Sequence, residues 1–156
     1  DDQGLILPPN LAPIQVVISG LIEDINSSEQ VFSDNGVKRY VKLNVSAAFH
    51  SNFMNDAQSR LINEIDKINF KNSNLPIISN YDSVINSNKN SIKYALKNQM
   101  ASRVRWTDSI KKLEETDTTQ IIEIGPGKVL SGLVARISKK FDIKSVDKIE
   151  DLKKIN

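Results

Sequence analysis

The sequence has no cysteine and a single histidine among its 156 residues. Without cysteine there can be no disulfide, no thiolate metal site and no cysteine nucleophile. One histidine, with no carboxylate pair at ligand spacing, supplies too few donors for a metal site. Long apolar runs are also missing. Stretches such as Val16-Val17-Ile18 are far too short to cross a bilayer. Charge of one sign is absent as well: 21 Lys and Arg against 19 Asp and Glu leave a net charge of +2. The basic residues are scattered, so nucleic acid is not the expected partner. The opening DDQGLILPPNLAPI has acidic flanks and no long apolar core, unlike a secretory signal. A cytoplasmic protein is expected. The initial Asp, in place of Met, points to a processed or truncated product.

What remains is ordinary globular material, 39% apolar and 26% charged. A proline-broken leading segment, LILPPNLAP, precedes QVVISG (15–20), which reads as a short buried strand. Residues 21–34 carry a weak helical stripe closed by Asn35-Gly36. Val37, Arg39, Val41, Leu43 and Val45 then alternate with Lys38, Tyr40, Lys42 and Asn44, which predicts a half-buried strand leading into the histidine loop. From Met54 the spacing becomes helical through Ile68. LPIISN (75–80) reads as a strand, 91–100 as a helix, and Trp106, Ile110 and Leu113 mark another. IIEI ends as a strand in Gly125-Pro126-Gly127, Val129 to Ile137 form a helical stripe, and IKSV with a charged helix closes the chain. Strands alternating with helices predict an α/β sheet, at least from residue 54 onward.

Three segments are candidates for chemistry. GPGKVLSG (125–132) offers backbone N–H groups to an anion, or is simply a tight strand-to-helix turn. It has neither P-loop spacing nor the third glycine of the dinucleotide fingerprint, where Leu130 stands. His50, in VSAAFHSNFM (45–54), is a general base or a packed histidine without a chemical role. In NQMASRVRWTDSI (98–110), Arg103 and Arg105 beside Trp106 hold an anionic ligand or are solvated at a helix start.

Taken in order, QVVISG, VSAAFHSNFM, NQMASRVRWTDSI and EIGPGKVLSGLVARI resemble the malonyl-CoA:acyl-carrier-protein transacylases, from about Gln15 to about Ile137. The resemblance covers only the C-terminal half of such an enzyme. It implies an α/β-hydrolase-like acyltransferase fold with a small ferredoxin-like subdomain. Residues 1–53 would be part of that small subdomain, ending at the histidine loop, and residues 54–156 the C-terminal part of the large α/β subdomain. It also implies malonyl transfer from malonyl-CoA to the phosphopantetheine thiol of acyl carrier protein, with no cofactor. His50 matches the family's catalytic histidine and Gln99 the position whose backbone carbonyl orients it. Ser51 and Asn80 match positions that line the substrate site. The implied partners are malonyl-CoA, acyl carrier protein, and either an N-terminal half or a second copy. The serine elbow G-x-S-x-G occurs nowhere in the sequence. Upstream of QVVISG, Leu11 and Ile14 stand where the family commonly has Asn and Gly. The isolated chain is therefore expected to be inactive. The rival expectation is a non-catalytic fragment that folds or binds acyl carrier protein, with Lys38, Arg39 and Lys42 as a basic face.

Overall fold

The computed structural model describes residues 10–12, 15–45 and 47–155. Most of the LILPPNLAP segment lies outside the described residues. The strands β1 (Asn10–Ala12) and β2 (Gln15–Val16) pair antiparallel. Helix α1 (Ile22–Asp34) follows, then a 3-10 turn (Asn52–Met54) leading into α2 (Asn55–Lys67). The strands β3 (Ile77–Ile78) and β4 (Ile85–Asn86) form a second antiparallel pair before α3 (Lys89–Asn98) and α4 (Trp106–Glu114). The strands β5 (Gln120–Ile124) and β6 (Asp142–Val146) run parallel, joined by α5 (Val129–Ile137). A 3-10 helix, Ile149–Lys154, stands where the sequence predicts a charged α-helix.

The core sits where α4, α5, β5 and β6 meet. Ile110, Val134 and Phe141 are buried there, with Trp106, Leu113, Ile121, Ile137 and Ile143 packed around them. Two parallel strands need a long crossover, and α5 supplies it with the stripe that the sequence shows from Val129 to Ile137. Helices α2 and α3 pack on each other. Asp66 of α2 reaches Lys93 and Lys97 of α3 at 3.0 and 2.6 Å. Hydrogen bonds from Lys97, then Lys93, hold the Asp66 carboxyl below its ordinary value. Helix α3 begins at Asn88, whose side chain accepts from the N–H groups of Asn90 and Ser91.

The expected strand over 37–45 is not present: no ladder forms in it among the described residues. Its apolar side is not the one that packs. Tyr40 donates its hydroxyl to Ile25 O at 2.8 Å and stacks on Phe32 at 5.9 Å, so its side chain faces α1. Lys42 pairs with Glu29 of the same helix at 3.6 Å. Val41, Leu43 and Val45 turn outward, 56%, 58% and 66% exposed. A period of two separates two faces but does not say which one meets the neighbouring element. Tyr40 is large enough, and amphipathic enough, to claim the helix.

The Gly125-Pro126-Gly127 turn resolves into its conformational reading. Both glycines have positive φ, +141° and +85°. A Cβ at either would meet nothing within 4 Å, so dihedral freedom rather than space calls for glycine. The first turn of α5 is already served by a carboxylate. Glu123 of β5 accepts from the N–H groups of Leu130 at 3.0 Å and Ser131 at 2.7 Å. The Ser131 hydroxyl and these two amides draw the Glu123 carboxyl below its ordinary value. The anion that this helix N-terminus attracts is the protein's own.

Candidate active site

The histidine is placed by a sharp turn. His50 takes φ of +62°, in the left-handed region that histidine enters more often than most side chains. Ser51, 1% exposed, closes that turn by donating its hydroxyl to Ala48 O at 2.6 Å. The chain then enters the 3-10 turn and α2, so the histidine stands just before a helix.

Across from it lies the turn that follows α3. The His50 N–H donates to Met100 O at 2.9 Å. The His50 ring Nδ1 lies 3.0 Å from Gln99 O and 3.2 Å from Ser102 O. Both partners are carbonyl oxygens, which only accept, so Nδ1 must carry the proton. Nε2 is then left with its lone pair, the form in which imidazole accepts a proton. No carboxylate takes part in this bonding. Two backbone dipoles hold the ring without adding a charge beside it.

The sequence-derived residues fall into two groups. His50, Ser51 and Gln99 come together, with Gln99 acting through its main-chain oxygen. Asn80 lies apart from them. Its carbonyl accepts from Arg105 N–H at 2.9 Å, which ties the 79–84 turn to the start of α4. Ser83 strengthens that tie, donating to Arg105 O at 2.9 Å. Asn80 and Gln99 both line a cavity of about 250 Å³ between the β3–β4 hairpin and α3, together with Ile78, Ile92, Ala95 and Leu96. That cavity is the structural link between Asn80 and the histidine turn. Arg105 is engaged by Asp108 at 2.9 Å, and Trp106 packs on the core, which favours the helix-start reading of that segment.

Sequence reasoning missed three contributors. Met100 and Ser102 act only through carbonyl oxygens, which any residue has. Gln58 of α2 accepts from the Ala101 N–H at 2.9 Å, and nothing in its spacing distinguishes it from other polar positions on that helix. Among the described residues no cluster of His, Asp and Glu could hold a metal ion. No helix among them is long and apolar enough to cross a membrane.

No family model matches the chain. Individual relatives do. The malonyl CoA-acyl carrier protein transacylase of Bacillus subtilis is 38% identical over 142 residues, spanning 90% of this chain and 45% of that protein. The solved acyl carrier protein S-malonyltransferase of Vibrio cholerae superposes with a TM-score of 0.90 at 32% identity, over 99% of this chain and 51% of that one. A malonyl-transacylase solved in complex with a type II polyketide acyl-carrier protein superposes with a TM-score of 0.90 at 31% identity, over 97% and 49%. The chain spans about half the length of the relatives it matches. Over nearly all of its own residues, in sequence and in fold, it is homologous to the malonyl-CoA:acyl-carrier-protein transacylases and corresponds to the C-terminal half of that family.

Proposed function

We propose that this chain supplies the histidine half of a malonyl transferase, moving malonyl from malonyl-CoA to the phosphopantetheine thiol of acyl carrier protein. One observation carries the reading: the two carbonyl contacts at Nδ1 leave Nε2 free to act as a base. His50 takes the proton of a serine hydroxyl as the serine oxygen attacks the malonyl thioester carbonyl. The carbon–sulfur bond breaks, and the imidazolium returns the proton to the departing CoA thiolate. In the second half His50 takes the proton of the carrier thiol, whose sulfur attacks the acyl-serine. The carbon–oxygen bond breaks and the proton goes back to serine. A positioned base of this kind is worth about 10²–10⁴ in rate. The reaction so written uses side chains alone. Gln99 orients the base, Ser51 shapes its turn, and Asn80 belongs to the wall of the substrate site.

The serine comes from outside the 156 residues, since no G-x-S-x-G occurs within them. A complementing N-terminal half would bring it. The division at residues 53 and 54 and a cytoplasmic setting are parts of the same proposal. The division is supported by burial: among the described residues, every buried one apart from Ser51 lies beyond residue 54.

The test is malonyl transfer to holo acyl carrier protein, by the chain alone and mixed with the N-terminal half of the Bacillus subtilis relative. Transfer is expected only in the mixture, and His50→Ala abolishes it. Turnover by the chain alone would overturn the division of labour. The absent serine elbow favours one second reading, a non-catalytic fragment that binds acyl carrier protein. Carrier binding, with no transfer in any mixture, would select it.

A further inference from the structure

The turn at residues 99–102 holds His50 by its carbonyls, yet it is itself held by something. Three of its oxygens, on Gln99, Met100 and Ser102, are directed at His50. Another group of the turn, the Ala101 N–H, is taken by Gln58 Oε1 at 2.9 Å. Gln58 is on the first turn and a half of α2, the helix that the histidine turn runs into. One stretch of chain, 50–58, therefore grips the facing turn at both ends, with the imidazole at one and the carboxamide at the other.

The physics of the turn makes the second grip matter. Ala101 is partly buried and lies past the end of α3, so its N–H has left the helical ladder. A partly buried amide without a partner is costly, and a turn released from Gln58 would rotate to find one. The Ala101 N–H and Met100 O belong to one peptide unit, so its rotation takes Met100 O from the His50 N–H and shifts the imidazole against Gln99 O and Ser102 O. With those two contacts weakened, the proton of a neutral imidazole shifts in part to Nε2, the nitrogen that the proposed reaction needs bare.

We propose that Gln58 is a positioning residue: through the Ala101 amide it fixes the carbonyls that keep His50 in its Nδ1–H form. The proposal deepens the reading of His50 as the base and rests on it. Gln58 touches neither the reacting atoms nor the substrate. A merely structural tie would lower stability and leave the tautomer unchanged, and that difference can be measured.

The sole histidine makes the experiment direct, because its ring nitrogens are the only imidazole signals in the chain. The tautomer of His50 is read from the ¹⁵N shifts of Nδ1 and Nε2 at about pH 9, above the ordinary histidine range. The chain itself, Gln58→Met and Gln58→Glu are compared. In the unaltered chain the Nδ1–H form is expected to dominate. Gln58→Met, close in size but a poor acceptor, raises the ratio of Nε2–H to Nδ1–H several-fold. Gln58→Glu, which keeps an acceptor oxygen, restores it. An unchanged ratio in Gln58→Met, with the remaining amide spectrum intact, overturns the proposal. A second measurement covers the case in which that variant does not fold: the Ala101 amide of the unaltered chain must exchange slowly with solvent. Exchange at the rate of an exposed loop overturns the proposal by itself. Neither readout involves malonyl transfer, so both stand apart from the assay of the base role.

Discussion

Ser51 Oγ lies 2.6 Å from Ala48 O, and that hydrogen bond closes the turn in which His50 takes a φ of +62°. The left-handed backbone at a non-glycine residue costs about 1 kcal/mol, and the turn must hold it in place. Ser51→Ala removes the donor and leaves Ala48 O without it. Urea unfolding is expected to show a loss of about 1–2 kcal/mol. A loss of transfer activity in the two-half mixture should accompany it. A midpoint equal to that of the unaltered chain would show that the turn is held by other means.

His50→Gln separates the ring's two jobs. A glutamine side chain can still donate to the facing carbonyls but is no base. Transfer in the two-half mixture is expected to fall by about 10²–10⁴. Thermal unfolding should change far less than the rate does. If transfer survives the substitution, the base is another residue.

Glu123 makes stability depend on pH. Its carboxyl titrates below its ordinary 4.5 in the folded chain, chiefly through the Ser131 hydroxyl and the amides beside it. The unfolded chain therefore binds more protons than the folded one between the two values. The stabilisation is complete above about 4.5 and is lost as pH falls through the lower folded value. Glu123→Gln should cost about 1 kcal/mol at pH 7, the usual worth of a helix N-terminal acceptor. Denaturant melts at pH 7 and pH 3 check this, and the gap between the two proteins should narrow at pH 3.

Core truncation should be costly where α4, α5 and the parallel strands meet. Val134 is 1% exposed and Ile110 3%. Ile110→Ala is expected to lose about 2–5 kcal/mol, and Leu130→Ala, on the exposed side of α5, under about 1 kcal/mol. Chemical denaturation of the two variants gives the comparison.

The outward apolar face of segment 37–45 predicts self-association of the chain on its own. Val41, Leu43 and Val45 form a row beside backbone that has no ladder partner among the described residues. Such a row invites pairing with a second strand. Sedimentation is expected to show species larger than the monomer, and Leu43→Lys should shift the distribution toward monomer. A monodisperse monomer for the unaltered chain would contradict this.

The parts of the fold legible in the sequence are those set by local patterning. The stripe from Val129 to Ile137 marks α5, and IIEI with its glycine turn marks β5, because a buried strand and an amphipathic helix carry their periods in adjacent residues. Segment 37–45 was legible in its alternation and not in its orientation. Which face turns inward was decided by Tyr40 finding Phe32 and Ile25 on α1. LPIISN shrinks to two strand residues because only Ile77 and Ile78 find partners in β4. At the candidate site, His50 stands out in the sequence as the one histidine, and Gln99 through the family resemblance. The carbonyls of Met100 and Ser102 carry no residue identity. Gln58 becomes visible only when α2 is placed against the turn after α3.

The parallel sheet and the histidine site differ in how far apart in the chain their members lie. Gln120 faces Asp142 across 22 residues, whereas His50 meets the oxygens of Gln99 and Ser102 across 49 and 52. Closing the longer loop costs more chain entropy, and its few hydrogen bonds return less than the apolar core does. The strand-helix-strand unit is therefore expected to assemble first, and the imidazole to find its oxygens last. On fluctuation the order reverses: residues 99–102 open while Ile110, Val134 and Phe141 stay packed. The proton position that defines the base thus depends on contacts between distant parts of the chain, outside the apolar core.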